Sequence, residues 1–488
     1  MPQHQNSTEY DKNRQLYAET APLQEKHHDY EQAMQILASH VRGELTLPGT
    51  SAYEAKRQVW NGAVDCHPAV IVSCLNADDV KATINFARGQ GMPLSVYGGG
   101  HSMSGHSTND NGLVIDLSSM KAINVDPLQR TARLEPGLTS GELAKALQPY
   151  GLAITTGDTA SVGMGGVLLG GGIGWMVRAY GLAIDQLRAV ELVTADGQLL
   201  RASADENPEL FWGLRGGGGN FGVATAFEVN LHSGGTILGG IIFYEAPAGE
   251  AERILQEYVR LATAAPDGLS TEAMLILAPP APFIPADKQG TPVVAIVVSY
   301  TGDISEGEQV VAPLRQLASP LADLIAPMPY SDIFTFVEVG EIRGLQQHLR
   351  SQFFKTLSEE MVHALVEAAQ SVLSAETLVQ IRVLGGAMGR VSNDATAFAH
   401  RDKEGILVVD HFGPLSLDSA ALEARTQKIV QAVAPYANGV YVNFLGDEGE
   451  QRIREAYTSA TYARLVALKN RYDPTNVFHL NQNIKPTV

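Results

Sequence analysis

The chain has 488 residues, 45% hydrophobic and 18% charged, more than one core usually organises, so two domains or one domain with a large insertion are expected. Its 35 basic residues face 53 acidic ones, a formal charge of -18 that repels a phosphate backbone and argues against nucleic acid as a partner. Cys66 and Cys74 fit neither a disulfide framework nor a close-set metal pair and read as reduced, buried, small apolar residues.

Residues 1–40 form a polar leader, expected to be mobile or loosely helical, with no apolar run bounded as an export signal would be. No apolar segment approaches the roughly 18 residues that span a bilayer, so the reading is a cytoplasmic protein without a membrane partner. From about residue 63 to 232 short apolar strands and helices alternate, as in an α+β domain. Helical spacing over 78–87 ends at Gly91, and strands are expected at 93–96, 113–117 and 132–135. Asp196-Gly197 between 191–193 and 198–200 suggests a tight hairpin with positive φ at both central residues. Beyond residue 235, alternating runs at 293–298, 379–383 and 405–409, with a helix over 359–373, read as a separate antiparallel sheet with helices. A last helix over 462–470 stops at Tyr472-Asp473-Pro474.

The glycines cluster in three runs. The first, Tyr97-Gly98-Gly99-Gly100-His101-Ser102 continuing to Gly105-His106, bares backbone amides that can converge on an anion such as a pyrophosphate. The second places Gly163, Gly165, Gly166, Gly170, Gly171, Gly172 and Gly174 in twelve residues, too much glycine for a regular helix, so something is expected close against that backbone. The third, Gly216 to Gly219 followed by Gly222 and Val223, formally meets the dinucleotide fingerprint, but residues 223–230 alternate like a strand where the fingerprint needs a helix. A nucleophile elbow is excluded because Gly100-His101-Ser102-Met103-Ser104 lacks the final glycine. His101 and His106, without carboxylate or cysteine at ligand spacing, make no metal site.

The order of these motifs, with Tyr180-Gly181-Leu182-Ala183-Ile184-Asp185, Phe211-Trp212-Gly213-Leu214-Arg215-Gly216 and the terminal Leu480-Asn481-Gln482-Asn483, resembles the berberine-bridge-enzyme-like branch of the vanillyl-alcohol-oxidase superfamily. Within it the chain is similar to the bacterial hydroxynicotine-oxidase members. The resemblance implies an α+β fold: a two-part PCMH-type FAD-binding domain, here residues 41–234 and 436–488, with an inserted antiparallel-sheet substrate domain, residues 235–435. It implies FAD bonded through the 8α-methyl of its ring to a histidine, which falls on His101. Thr159 stands where many relatives carry a second attaching cysteine, so attachment is expected to be single. Val162 falls where the family controls the approach of dioxygen, and a valine there resembles the oxidases. Tyr97 replaces an arginine common before the glycines. Cofactor contacts are expected from Tyr97, Gly98, Gly99, Gly100, His101, Ser102, Gly105, His106, Thr159, Val162, Gly163, Gly165, Gly166, Gly171, Gly222, Val223, Asn481 and Asn483.

For the substrate, Gln380 and Arg382 share one face of a strand by period two, and Tyr441 and Asn443 are expected to do so on another. Tyr441 is the candidate proton acceptor, with Gln380 and Asn443 holding the substrate's heteroatom. Gln380 and Arg382 stand where close relatives carry lysine and glutamate, which weakens any transfer of an amine substrate. Asp410 and His411 are second choices, of which only one can face the ring. The expected activity is an oxidase passing hydride from an alcohol, sugar or amine carbon to flavin, with dioxygen reduced to hydrogen peroxide, in a monomer or homodimer. The alternatives are a dehydrogenase or oxidative cyclase with another acceptor, and a flavin-bearing binding protein with little turnover.

Overall fold

The computed structural model describes residues 23–247, 249–336 and 343–488. Its first sheet aims the first glycine run. Val70–Ser73 and Leu94–Tyr97 flank Leu113–Asp116 in parallel, and Glu44–Thr46 closes one edge antiparallel. The central strands are buried on both faces, hence their unbroken apolar sequence. Helix Ala77–Gln90 covers them, capped by the Asn76 side chain and stopped by Gly91 at φ 64°. The first half of the leader, residues 1–22, lies outside the described residues. The rest is a helix, Leu23–His40, whose Met34 and Leu37 are buried in the same core as Val80 and Ile84, so this part is packed instead of loose.

The second sheet is antiparallel, in the order Ile123–Asp126, Thr131–Leu134, Val223–Asn230, Leu187–Val193, Leu199–Ser203. The expected hairpin is present, but only Gly197 has positive φ; the Gly197 amide donates to Thr194 and the Thr194 amide to Gln198, a three-residue loop in place of the two-residue turn. Strand Val223–Asn230 follows the third glycine run and helix Pro208–Leu214 precedes it, the reverse of a dinucleotide fingerprint. The second run departs from expectation: Met164–Gly170 is a short helix despite its glycines, with its N-cap Gly163 pressed on Gly99 and its last residue Gly170 on Asn443, both too close for a Cβ.

The third large sheet has nine strands spanning Thr236–Glu245 to Gly405–Gly413, all antiparallel. Helices Glu250–Ala264, Glu359–Gln370 and Ser419–Val433 cover one face over a core that includes Ala273, Val379, Ile381, Val383 and Val409. The alternating residues Leu378, Gln380, Arg382, Val408 and Asp410 turn to the other face, toward the glycine runs. Tyr441 and Asn443 do not lie on a strand; Tyr441 is extended and Val442–Phe444 is a 3-10 turn, which still brings both side chains to one side.

Two buried ion pairs tie the halves and the tail. Lys469 and Asp473 are fully buried and paired at 2.8 Å; the ammonium donates to the Asn220 and Phe478 carbonyls, and the carboxylate accepts from the Val477 and Phe478 amides. The Asn220 side chain then bonds Gln482 and Ile484, seating the polar tail beneath the third glycine run. Arg401, 1% exposed, grips Asp185 with two bonds of 2.7 Å. Arg401→Ala leaves that carboxylate buried without its cation, and denaturant unfolding should show a loss of roughly 3–5 kcal/mol that Asp185→Ala in the same chain does not deepen.

Candidate active site

The glycine runs and the open face of the nine-stranded sheet enclose a cavity of about 390 Å³, the size of a small-molecule site. The first two runs touch backbone to backbone: a Cβ on Gly99 would lie 2.4 Å from the Gly163 nitrogen, and one on Gly163 would lie 2.5 Å from that of Gly99. Elsewhere a Cβ would meet open cavity, as at Gly166, Gly218 and Gly219, where no atom stands within 4 Å. Among the described residues, the amides of Gly98, Gly99, Gly100 and His101 donate to no other part of the chain. Successive bare amides beside an unfilled glycine wall are the donor set for a pyrophosphate. Ser102, His106, Thr159, Val162, Gly165, Gly222, Val223 and Asn481 complete this side, and the buried amide oxygen of Asn481 has no partner among the described residues.

His101 sits at the junction of the first two runs. Its ring stacks on Trp60 with centroids 4.3 Å apart, and its Nε2 is 3.0 Å from the Ser161 hydroxyl. Burial, with help from Arg343 and against Asp158, lowers its pKa to about 4, so the imidazole is neutral at physiological pH.

The sheet side is polar and internally bonded. Arg382 forms a charged triad with Glu272, 2.6 Å away, and with Asp158 from the second glycine region. Gln380 donates to Glu272 at 2.6 Å and accepts from Arg382 at 3.3 Å, so its amide is committed at both ends and less free to hold a heteroatom than its position suggested. The Tyr441 oxygen accepts from the Gly172 amide at 2.7 Å and from Asn443 at 3.0 Å. Two donors on that oxygen leave the phenol's own hydrogen for a third partner, and burial pushes its pKa up to about 12. Asp410 faces the cavity, accepting from the His348 amide at 3.1 Å, while His411 turns the other way to Thr426.

Four expected cofactor contacts stand outside the cavity wall. The Tyr97 ring folds against Gly100 and its hydroxyl accepts from Arg343 at 2.7 Å; Gly105 packs on Val64; Gly171 lies under the Tyr441 ring. Asn483 does not line the cavity and precedes Ile484, which is fully buried in the neighbouring core; its own buried amide oxygen has no partner among the described residues. Sequence reasoning passed over Asp158, Glu272, Trp60 and Ser161. Glu272 carried a signal, the lone charge in an otherwise uncharged strand; Trp60 carried none.

The sequence matches the family described as FAD binding domain over residues 68–203 and that described as berberine and berberine like over 440–485. It is 32% identical to (R)-6-hydroxynicotine oxidase of Paenarthrobacter nicotinovorans, over 91% of this chain and 97% of that protein. The chain belongs to the berberine-bridge-enzyme-like family of FAD-linked oxidoreductases. An FAD-linked oxidoreductase of Dictyostelium discoideum is 31% identical over 91% of this chain and 95% of its own length. The crystal structure of 6-hydroxy-D-nicotine oxidase from Arthrobacter nicotinovorans superposes with a TM-score of 0.83 at 29% identity, over 91% of this chain and 98% of that one. This berberine-bridge-like chain is thus an FAD-binding enzyme of the PCMH-type α+β fold, and the bare amides and open glycine wall fit that cofactor. Among its described residues no helix is long and apolar enough to cross a membrane.

Burial raises the Asp410 pKa from 3.8 to about 7, against the His348 amide and Arg350. A folded value above the unfolded one means stability that is complete below about pH 4 and is lost as pH rises toward 7, by up to about 4 kcal/mol. Asp410→Asn should therefore flatten the fall of Tm across that interval, measured by calorimetry in several buffers.

Proposed function

We propose that the protein is an oxidase that holds FAD covalently through His101 alone and oxidises a carbon bearing oxygen or nitrogen in a small substrate, with dioxygen reduced to hydrogen peroxide. The observation that carries this reading is the neutral, half-buried His101, set beside a run of bare amides and in one cavity with Tyr441 and Asp410. Bound FAD would supply the two-electron acceptor. Thr159, bonded to Asp158 at 3.1 Å, offers no thiol for a second link. Val162 borders the cavity beside Gly163 and leaves small-molecule access that a larger side chain would narrow.

The residues divide the work by position. Gly98 to His101, Gly166 and the Gly217–Gly219 segment cradle the cofactor, and the tail at Asn481 closes it. Tyr441 can take the proton of a substrate hydroxyl or amine only as the phenolate, which the Gly172 and Asn443 donors stabilise against the burial that raises its pKa, and Asp410 stands on the same wall. Asn443 fixes the Tyr441 oxygen, and Gln380 and Arg382 form the polar floor under the substrate. The bacterial relative's name, a hydroxynicotine oxidase, puts an amine carbon beside alcohols and sugars among the classes to screen. Residues 41–234 with 436–488 form the flavin domain and 235–435 the substrate domain. A cytoplasmic site agrees with two cysteines that are both free, Cys74 buried and Cys66 half-buried.

Acid precipitation followed by mass spectrometry tests the attachment. The native pellet should be yellow and yield a flavin-shifted peptide containing His101, and His101→Ala should give a colourless pellet; free FAD from the native protein would overturn the tether. Once an oxidised substrate is found by peroxide release in air, Tyr441→Phe should lower kcat about 10²- to 10⁴-fold with the flavin content unchanged.

A further inference from the structure

Glu272 does not reach the main cavity. It borders a separate void of about 20 Å³ with Asp158 and Ser270, one strand away from the substrate wall. In the register of the sheet it stands opposite Arg382, and Gln380 opposite Met274. Cross-strand partners share a face, so one carboxylate lies within reach of both wall residues. It is 1% exposed, yet it accepts from the Gln380 amide and pairs with the Arg382 guanidinium, each at 2.6 Å. Arg382 in turn pairs with Asp158, which sits between Gly157 and Thr159 on the cofactor side, and accepts in its backbone carbonyl the indole N–H of Trp175 at 2.9 Å. A buried carboxylate in the middle of a sheet is unfavourable unless its partners hold it, and nothing in the proposed chemistry uses this one.

We propose that Glu272 is a positioning residue that holds the Gln380 amide and the Arg382 guanidinium in one orientation and sets the net charge of the substrate wall. The proposal rests on the placement of flavin and substrate in the main cavity given above. Gln380 cannot flip its amide without placing its oxygen against the Glu272 carboxylate, so the atoms it turns to the cavity are fixed from the next strand. Two carboxylates against one guanidinium leave the triad with one net negative charge; a proton on Glu272 makes it neutral. Burial pushes Glu272 up to about 7, Arg382 pulling it down and Asp158 pushing it further up, so the change falls in the physiological range. The other titratable groups around it do not compete. Tyr258 on helix Glu250–Ala264 bonds Thr271 and is held above its ordinary pKa by burial, and Arg178 on Val177–Tyr180 bonds the Ala265 and Leu384 carbonyls. The opposite residue on Pro292–Tyr300 is Val297.

The test needs no substrate. The midpoint potential of the bound flavin is measured between about pH 6 and 9 for the wild type, Glu272→Gln and Glu272→Asp, with Tm recorded for each. An added negative charge beside the flavin disfavours its electron-rich reduced form, so the wild-type potential should fall more steeply through neutrality than that of Glu272→Gln. The two curves should meet near pH 6, and Glu272→Asp should restore the wild-type shape. If Glu272→Gln fails to fold, Asp158→Asn serves, because loss of the competing carboxylate should move the inflection to lower pH. Superimposed curves in a flavin-loaded enzyme would overturn this inference and leave the oxidase reading standing; a purified protein that takes up no flavin would overturn both.

Discussion

The contact on which the cavity depends is a meeting of two backbones. Where the loop after Leu94–Tyr97 lies against the start of helix Met164–Gly170, the chain comes so close to itself that neither Gly99 nor Gly163 can carry a Cβ. One strand of that contact is delivered by a parallel sheet, the other by the segment that leads away from a two-stranded ladder, Leu152–Ala153 with His232–Ser233. The close approach sets His101 beside Ser161 and puts a row of unpaired amides along one rim. Side chains at those positions would separate the two segments and close the space between them.

The opposite wall follows a different logic. It is built on a sheet whose helix-covered face is packed with aliphatic residues and whose other face carries Gln380, Arg382 and Asp410 at period two. Polar groups in such a place are costly unless bonded, and each has partners: Glu272 and Asp158 for Arg382, Glu272 for Gln380, the His348 amide for Asp410. The result is a rigid, charged floor beneath an apolar opening lined by Leu378, Val408 and Phe444.

How much of this could be read from the residues depended on whether the cause was local. The places of the early strands, the helix stop at Gly91, and the failure of the dinucleotide fingerprint at Val223 are decided by neighbours in sequence, and they were legible. The helical turn at Met164–Gly170 was not, because glycine's cost in a helix is a local average and the gain comes from a loop more than sixty residues away. Asp196 shows the same limit on a smaller scale: the dipeptide announces a turn, while the loop length is set by where Thr194 and Gln198 pair. Tyr441 and Asn443 were placed together for the wrong reason, since a 3-10 turn also brings residues two apart to one side when the first is extended. Tyr97 was chosen by its position in a motif, and its side chain turns to Gly100 and Arg343. The Glu272–Arg382–Asp158 triad joins three distant segments, and only the oddity of a single charge in an otherwise uncharged strand hinted at it.

The Lys469–Asp473 pair fixes when, as well as how, the cavity comes into being. Its ammonium holds the Asn220 and Phe478 carbonyls, so the floor under the third glycine run exists only after helix Ser459–Tyr472 has been made and docked. The segments that carry His101 and the first two glycine runs leave the ribosome hundreds of residues earlier. A nascent chain therefore displays half a cradle, with its bare amides open to water, until residues 459–484 have emerged. A chain that lacked residues 459–484 would be made with no floor beneath the third glycine run.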